Sequence, residues 1–156
     1  LYEVLYGHAL FLFQRNADVY GILAGAREKV VVPPGFGHVT VNIGNTPLVV
    51  ANLFHDHVAS LYDFYTTHRG AAYYVLSTEL SRVTDARHSF AVEKNPLYDS
   101  HSLLRMAVTR EIRALHNDFH NPLYPSFIHN PTYFDFLKNP ESHLNQLSPE
   151  ALFRGA

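Results

Sequence analysis

Short apolar-rich stretches, broken at close intervals by Gly, Pro and Asn, run through the first hundred residues of the chain. That pattern predicts short strands at Tyr2 to Tyr6, Ala9 to Arg15, Val19 to Leu23, Lys29 to Val32, His38 to Ile43 and Leu48 to Phe54. Two more follow at Ala72 to Ser77 and Ser89 to Val92, after a short helix from Asp63 to Arg69 that Gly70 closes. Regular short strands with such turns indicate an all-β sandwich or barrel. Beyond residue 100 the period changes. Leu103, Leu104, Ala107, Val108, Ile112 and Leu115 recur at helical spacing, which predicts an amphipathic helix from Ser102 to His116. From His120 to Pro140 the chain is too apolar for a free linker and too interrupted by proline for a helix. It reads as an extended arm clamped onto the barrel or onto a partner subunit. Ser148-Pro149-Glu150 has the N-cap and N1 chemistry of a last helical turn. The expected organisation is a β domain over residues 1–100 and an extension over 101–156.

The sharpest local pattern lies within the strands. Pro33-Pro34-Gly35-Phe36-Gly37-His38-Val39-Thr40-Val41-Asn42 places a tight turn directly before a strand, since proline presets φ and glycine accepts values other residues avoid. Alternation then puts His38, Thr40 and Asn42 on one face and Val39, Val41 and Ile43 on the other. The first face makes a polar pocket with an imidazole at its lip, and neutral imidazole is the commonest metal ligand. The second is either a surface for dimerisation or a layer packed within the fold. The ten residues have the P-x-G-x-x-H-x-x-x-N form of the second cupin signature, every fixed position filled.

Composition narrows the function classes. With 156 residues and 47% hydrophobic content the chain can bury one core. Ten Tyr and eleven Phe with no Trp or Cys give an aromatic core and exclude thiolate chemistry; the lack of Cys is compatible with a cytoplasmic location. A net charge of −2 with interspersed signs offers no basic face for nucleic acid. No apolar run approaches the ~20 residues of a membrane span.

The segment Val31 to Phe54 resembles the cupin-type glucose-6-phosphate isomerases of archaea and some bacteria. That family characteristically carries P-P-x-x-x-H-x-T-V-N-I-G here, followed by an apolar strand. Tyr2 to Gln14 is similar to its strand, Gly, strand ending in Gln, and Asn95-Pro96-Leu97-Tyr98 to its late N-P-x-Y element. The resemblance implies a double-stranded β-helix, or jelly-roll barrel. It also implies a divalent metal held by three His and one Glu, with Fe expected and Mn, Ni or Zn also accepted by such donors. The implied reaction interconverts glucose 6-phosphate and fructose 6-phosphate, on a phosphorylated hexose bound by a homodimer.

Carried over by position, His38 matches a metal ligand, and Tyr2 a tyrosine two residues after the ligand Glu. Tyr2, Thr40 and Tyr62 are the expected sugar contacts. Gly7 fits the Gly that closes the first signature, which places that signature's Glu just before Leu1 and both its histidines further upstream. The barrel is therefore expected to be incomplete at its N-terminal side, its catalytic Glu outside this chain and the fragment itself inactive. Glu3 is out of phase with the ligand position and is expected at an outward or rim position. His55 and His57 mimic H-x-H, but no Glu stands at the signature's distance, and a solvated pair is expected. His116, His120, His129 and His143 are spaced too irregularly for a second metal site. Phe54 stands where the family often has a tyrosine. A non-catalytic sugar- or sugar-phosphate-binding cupin is the alternative, and another metal cupin, such as a dioxygenase, a third.

Overall fold

The computed structural model describes residues 1–77, 90–99, 103–112, 115 and 120–155. Strands β1 (Tyr2–Tyr6), β2 (His8–Arg15), β3 (Asp18–Gly25), β4 (Lys29–Val30), β5 (Gly37–Asn42) and β6 (Val49–Asn52) precede helix α1 (Asp63–Thr67). Next come β7 (Tyr73–Ser77), β8 (Phe90–Lys94) and β9 (Arg105–Thr109), then α2 (Leu123–His129). Two 3-10 turns (Pro131–Leu137 and Pro140–His143), α3 (Pro149–Leu152) and β10 (Phe153–Arg154) complete the described elements. The fold is all-β, as the short turn-bounded stretches predict, and the expected strands and short helix form within a few residues of their expected bounds. The predicted Ser89 start of the eighth strand lies outside the described residues, as do Ser102 and His116.

Strand β2 is apolar on both faces, and this organises everything around it. Ala9, Phe11 and Phe13 face one core; Leu10 and Leu12 face a second. In its sheet the order is β10-β9-β3-β2-β5, and a smaller sheet, β4-β1-β6, covers the Phe11 side. On the other side, Leu10, Leu12, Val39, Val41 and Ile43 pack with Ala71, Tyr65, Val75 and Phe90, from α1 and the β7–β8 hairpin. The Val39, Val41 and Ile43 row is thus a layer within the chain. The chain crosses from the small sheet to the large one at Gly7, where φ is +86° and a Cβ would lie 2.6 Å from the Pro47 carbonyl oxygen. Only glycine fits that close approach.

The C-terminal third departs from expectation. The predicted amphipathic helix over Ser102 to His116 is replaced by strand β9, which pairs in parallel with β3 from Tyr20↔Arg105 to Leu23↔Val108. A short apolar run is compatible with either period. Here the open edge of β3 decides, turning Ala107 and Thr109 inward and leaving Met106 and Val108 exposed. The segment expected as an extended arm is instead helical. Its prolines start helical turns: Pro122 caps α2, Pro125 lies in its first turn, and Pro131 and Pro140 open the 3-10 turns. The first backbone N–H groups of a helix have no intrahelical partner, so proline loses nothing there. Leu123, Phe134, Phe136, Leu147, Leu152 and Phe153 enter the core beside Phe11 and Phe13, so the segment packs on the sheets of its own chain. Ser148 caps α3 through its side chain, accepting from the Ala151 N–H at 3.3 Å, as predicted.

Candidate functional site

Interstrand register carries one row of side chains across the large sheet: Arg105 on β9, Tyr20 on β3, Phe13 on β2 and His38 on β5. His38 closes the row on β5, the last strand of the described sheet, one residue after Gly37 opens the strand. The preceding turn sets its position. Phe36 N–H donates to the Pro33 carbonyl at 3.2 Å, with Gly35 at φ +78°, the geometry of a type II turn with Pro34 and Gly35 at its centre. From the opposite sheet, β1 turns Tyr2 toward the same point.

Tyr2 Oη and His38 Nε2 are 2.7 Å apart. The Tyr2 ring stands edge-on to the imidazole with centroids at 5.2 Å, and Phe13 stands edge-on to it at 6.2 Å. Phe11 lies 5.3 Å from Tyr2. The imidazole is therefore enclosed by rings, and burial pulls its pKa below the ordinary 6.5. At neutral pH it is uncharged. The phenol hydroxyl can donate to a bare Nε2, with the imidazole proton on Nδ1. A polar pair thus sits at the end of an apolar interior, able to exchange or hold one proton or to bind an oxygen.

The remaining predicted residues spread out. Thr40 lies two positions along β5 on the same face as His38, opposite Phe11 and half-buried. Asn42 shares that face by phase, but its side chain closes the next turn, donating to the Thr46 carbonyl at 2.8 Å and accepting from Gly44 N–H at 3.0 Å. It is exposed and does not line a pocket with His38. Tyr62 precedes α1 and is 69% exposed, and among the described residues no hydrogen bond or ring contact joins it to Tyr2 or His38. His55 and His57 form a loop pair with centroids at 5.0 Å, both on Asp56, at 3.2 and 3.9 Å. His143 bonds Gln146, His129 ends α2, and His116 lies outside the described residues.

Two site-bearing features escape sequence reasoning. Glu3 does point away from the Tyr2 face, but it is only 5% exposed, not at a rim. Its carboxylate accepts from Leu123 N–H at 2.7 Å, while Lys29, its cross-strand neighbour, donates to the Asn121 carbonyl at 2.7 Å. These two charges clasp the start of α2 onto β1 and β4. The second feature is the pairing of Arg105 with Asp18 at 2.8 Å beside Arg15, residues too distant in sequence for any spacing rule to join.

A divalent ion needs several donors at one point. Among the described residues no three His, Cys, Asp or Glu side chains converge. His38 offers one nitrogen, and that nitrogen faces Tyr2. These residues do not by themselves fit a catalytic metal, which usually has three protein ligands. The Asn95-Pro96-Leu97-Tyr98 element has a structural role. Asn95, fully buried, donates to the His68 and Ala71 carbonyls at 2.9 Å each, and Tyr98 donates to Gly70 at 2.8 Å. It fastens the end of α1 to β7.

In comparison with known proteins, the sequence model of the family described as glucose-6-phosphate isomerase (GPI) matches residues 1–90. No curated protein and no solved structure matches the chain.

Proposed function

The chain belongs to the glucose-6-phosphate isomerase family, and from that premise we propose that it serves as a cupin-type, metal-dependent isomerase of glucose 6-phosphate and fructose 6-phosphate. The observation that supports this reading is the 2.7 Å contact between Tyr2 and His38. Two residues from different sheets, each matched to a functional position by the resemblance, meet at one point. The matched residues include β1 through β7, so they carry this pair and Thr40.

The reaction takes a proton from C2 of the open-chain aldose and returns one to C1 through an enediol. A base, a group to stabilise the developing oxyanion, and a phosphate cradle are required. His38, kept neutral by burial, and the Tyr2 hydroxyl can orient a sugar oxygen and hold a proton between Nε2 and Oη. Thr40 supplies a further hydroxyl on the same face. In this reading the base is the Glu of the family's first signature, a position that the resemblance matches to none of the described residues. The divalent ion, iron foremost, would take its other ligands from that same signature and would supply Lewis-acid polarisation of the sugar oxygens. No step is assigned to it through the residues described. A homodimer, in a cytoplasmic setting, completes the proposal; exposed Phe54, Val58, Leu61 and Tyr62 give it an apolar surface.

A second reading is a sugar-phosphate-binding cupin without turnover. Tyr62 lying away from the pair, and Phe54 without a hydroxyl, favour it. The test is conversion of fructose 6-phosphate to glucose 6-phosphate by the full-length protein, stripped of metal and resupplied with Fe²⁺ or Mn²⁺. Turnover that vanishes with chelator and returns with metal supports the isomerase. Binding of fructose 6-phosphate with no turnover under any metal replaces it with the binding cupin.

A further inference from the structure

The turn at Pro33–Phe36 and the segment from Leu144 to Glu150 face each other across a cleft of about 280 Å³. Its polar wall is formed by Arg15, Asp18, Arg105 and Glu150, and its aromatic wall by Tyr20 and Phe36. We propose that this cleft is a binding site for a small polyhydroxylated anion, whose phosphate or carboxylate is held by Arg15 and Arg105 and whose hydroxyls are read by Asp18 and Glu150.

Both guanidiniums are stacked on rings. Arg15 Cζ lies 4.4 Å over the Phe36 centroid, and Arg105 Cζ lies 4.0 Å over Tyr20. Stacking occupies the faces and leaves the in-plane N–H donors for oxygen atoms, which is the geometry that matches carboxylate and phosphate. It also limits side-chain freedom before a ligand arrives, lowering the cost of ordering on binding. Arg105 gives one Nη2 donor to Asp18 at 2.8 Å, and its buried Nε has no hydrogen-bond partner among the described residues. Among the described residues Arg15 has no carboxylate partner.

The two carboxylates distinguish this cleft from a plain anion site. A bare phosphate would meet attraction from the arginines and repulsion from Asp18 and Glu150. A ligand with hydroxyls donates to those carboxylates and turns the repulsive half into contacts. All four charges act on the Tyr20 hydroxyl, which burial keeps protonated above its ordinary pKa. The site is separate from the Tyr2–His38 pair because Phe13, fully buried, stands between Tyr20 and His38 in the row.

Calorimetric titration of the 156-residue chain with D-gluconate and with glycerol 3-phosphate tests this, with D-glucose and inorganic phosphate as the neutral and bare-anion probes. At least one polyhydroxylated anion should bind about tenfold or more tightly than glucose, the worth of one charge-assisted contact. Which of the two binds better separates a carboxylate from a phosphate ligand. Arg15→Gln, at an exposed position that need not disturb folding, should weaken that binding about tenfold with an unchanged melting temperature. Glu150→Gln should weaken the polyhydroxylated anion but not inorganic phosphate, and His38→Ala should leave the cleft's affinity intact. The proposal is overturned if neither anion binds up to about 10 mM, a contact worth less than ~3 kcal/mol. It is equally overturned if Arg15→Gln binds as the parent does, or if His38→Ala abolishes binding that Arg15→Gln retains.

Discussion

The first fifty residues and the last fifty contribute to the same core by different routes. In the first, Val4, Phe11, Phe13 and Val30 are delivered by strands that short turns join and that pair with one another. In the last, Ala107, Leu123, Phe134, Phe136 and Phe153 come from elements of two to seven residues. Helices that short have little stability of their own. They exist because the sheets offer an apolar surface to pack on and an open edge beside β3. One region builds the frame, and the other takes its form from the frame.

The comparison breaks most directly at Phe153, whose ring packs tilted against Phe13 with centroids 5.6 Å apart and which is buried within a two-residue strand. If the C-terminal segment is an integral part of the core, Phe153→Ala should cost about 3–5 kcal/mol, as Phe11→Ala should. Urea denaturation of the two variants measures this. A loss below about 1 kcal/mol at Phe153, beside a full loss at Phe11, would make the segment an appendage.

Next in size is the clasp between the two regions. Glu3→Ala removes the acceptor from the buried Leu123 N–H and strips Lys29 of its cross-strand neighbour, for an expected loss of about 1–3 kcal/mol. Glu3→Gln keeps an acceptor oxygen and should recover much of that loss. Equal effects of the two substitutions would show that the carboxylate charge, not the hydrogen bond, joins the regions. Within the frame, Tyr2→Phe removes one hydroxyl and should cost about 1 kcal/mol of stability. It should also lower the isomerase turnover proposed for the full-length protein, since His38 Nε2 loses its partner.

How far the sequence can be read follows the same division. The Pro33–Asn42 segment is legible because a turn and a period-two row are local properties, and alternation alone turns Tyr2 and His38 to the faces on which they meet. Asn42 defeats the same rule because a side chain beside Gly44 can close its own turn in place of lining a pocket. Alternation gives Glu3 the correct face but the wrong environment, since α2 covers it from more than a hundred residues away. Strand β9 is invisible to periodicity because Ala107 and Val108 suit either period until β3 supplies a neighbour. Tyr62 follows from family position alone, and the structure leaves it in solvent. The Arg15–Arg105 cleft requires the register itself.

The smallest predicted effect lies on the outer face of β2, where α1 covers Gly37. The Tyr65 hydroxyl is buried there with no hydrogen-bond partner among the described residues, and a Cβ on Gly37 would fall 2.6 Å from it. Burial foremost, with Tyr98 adding to it, raises the Tyr65 pKa from 10.0 to about 12. Its neutral form is thus favoured in the folded chain. Between pH 10 and about 12 the unfolded chain releases this proton while the folded chain retains it. Stability therefore falls as pH rises through that window, and the contribution is fully present below it. Tyr65→Phe removes both the stranded hydroxyl and the titration. At pH 7 it should change stability by less than about 1 kcal/mol, in the stabilising direction if no water serves the hydroxyl. At alkaline pH it should flatten the decline in melting temperature above pH 10. A variant that melts lower than the parent at pH 7, with the alkaline slope unchanged, would mean that the hydroxyl has a partner and that α1 is held to β5 by a polar contact. In that case the outer face of β2 would depend on hydrogen bonding where its inner face depends on packed rings.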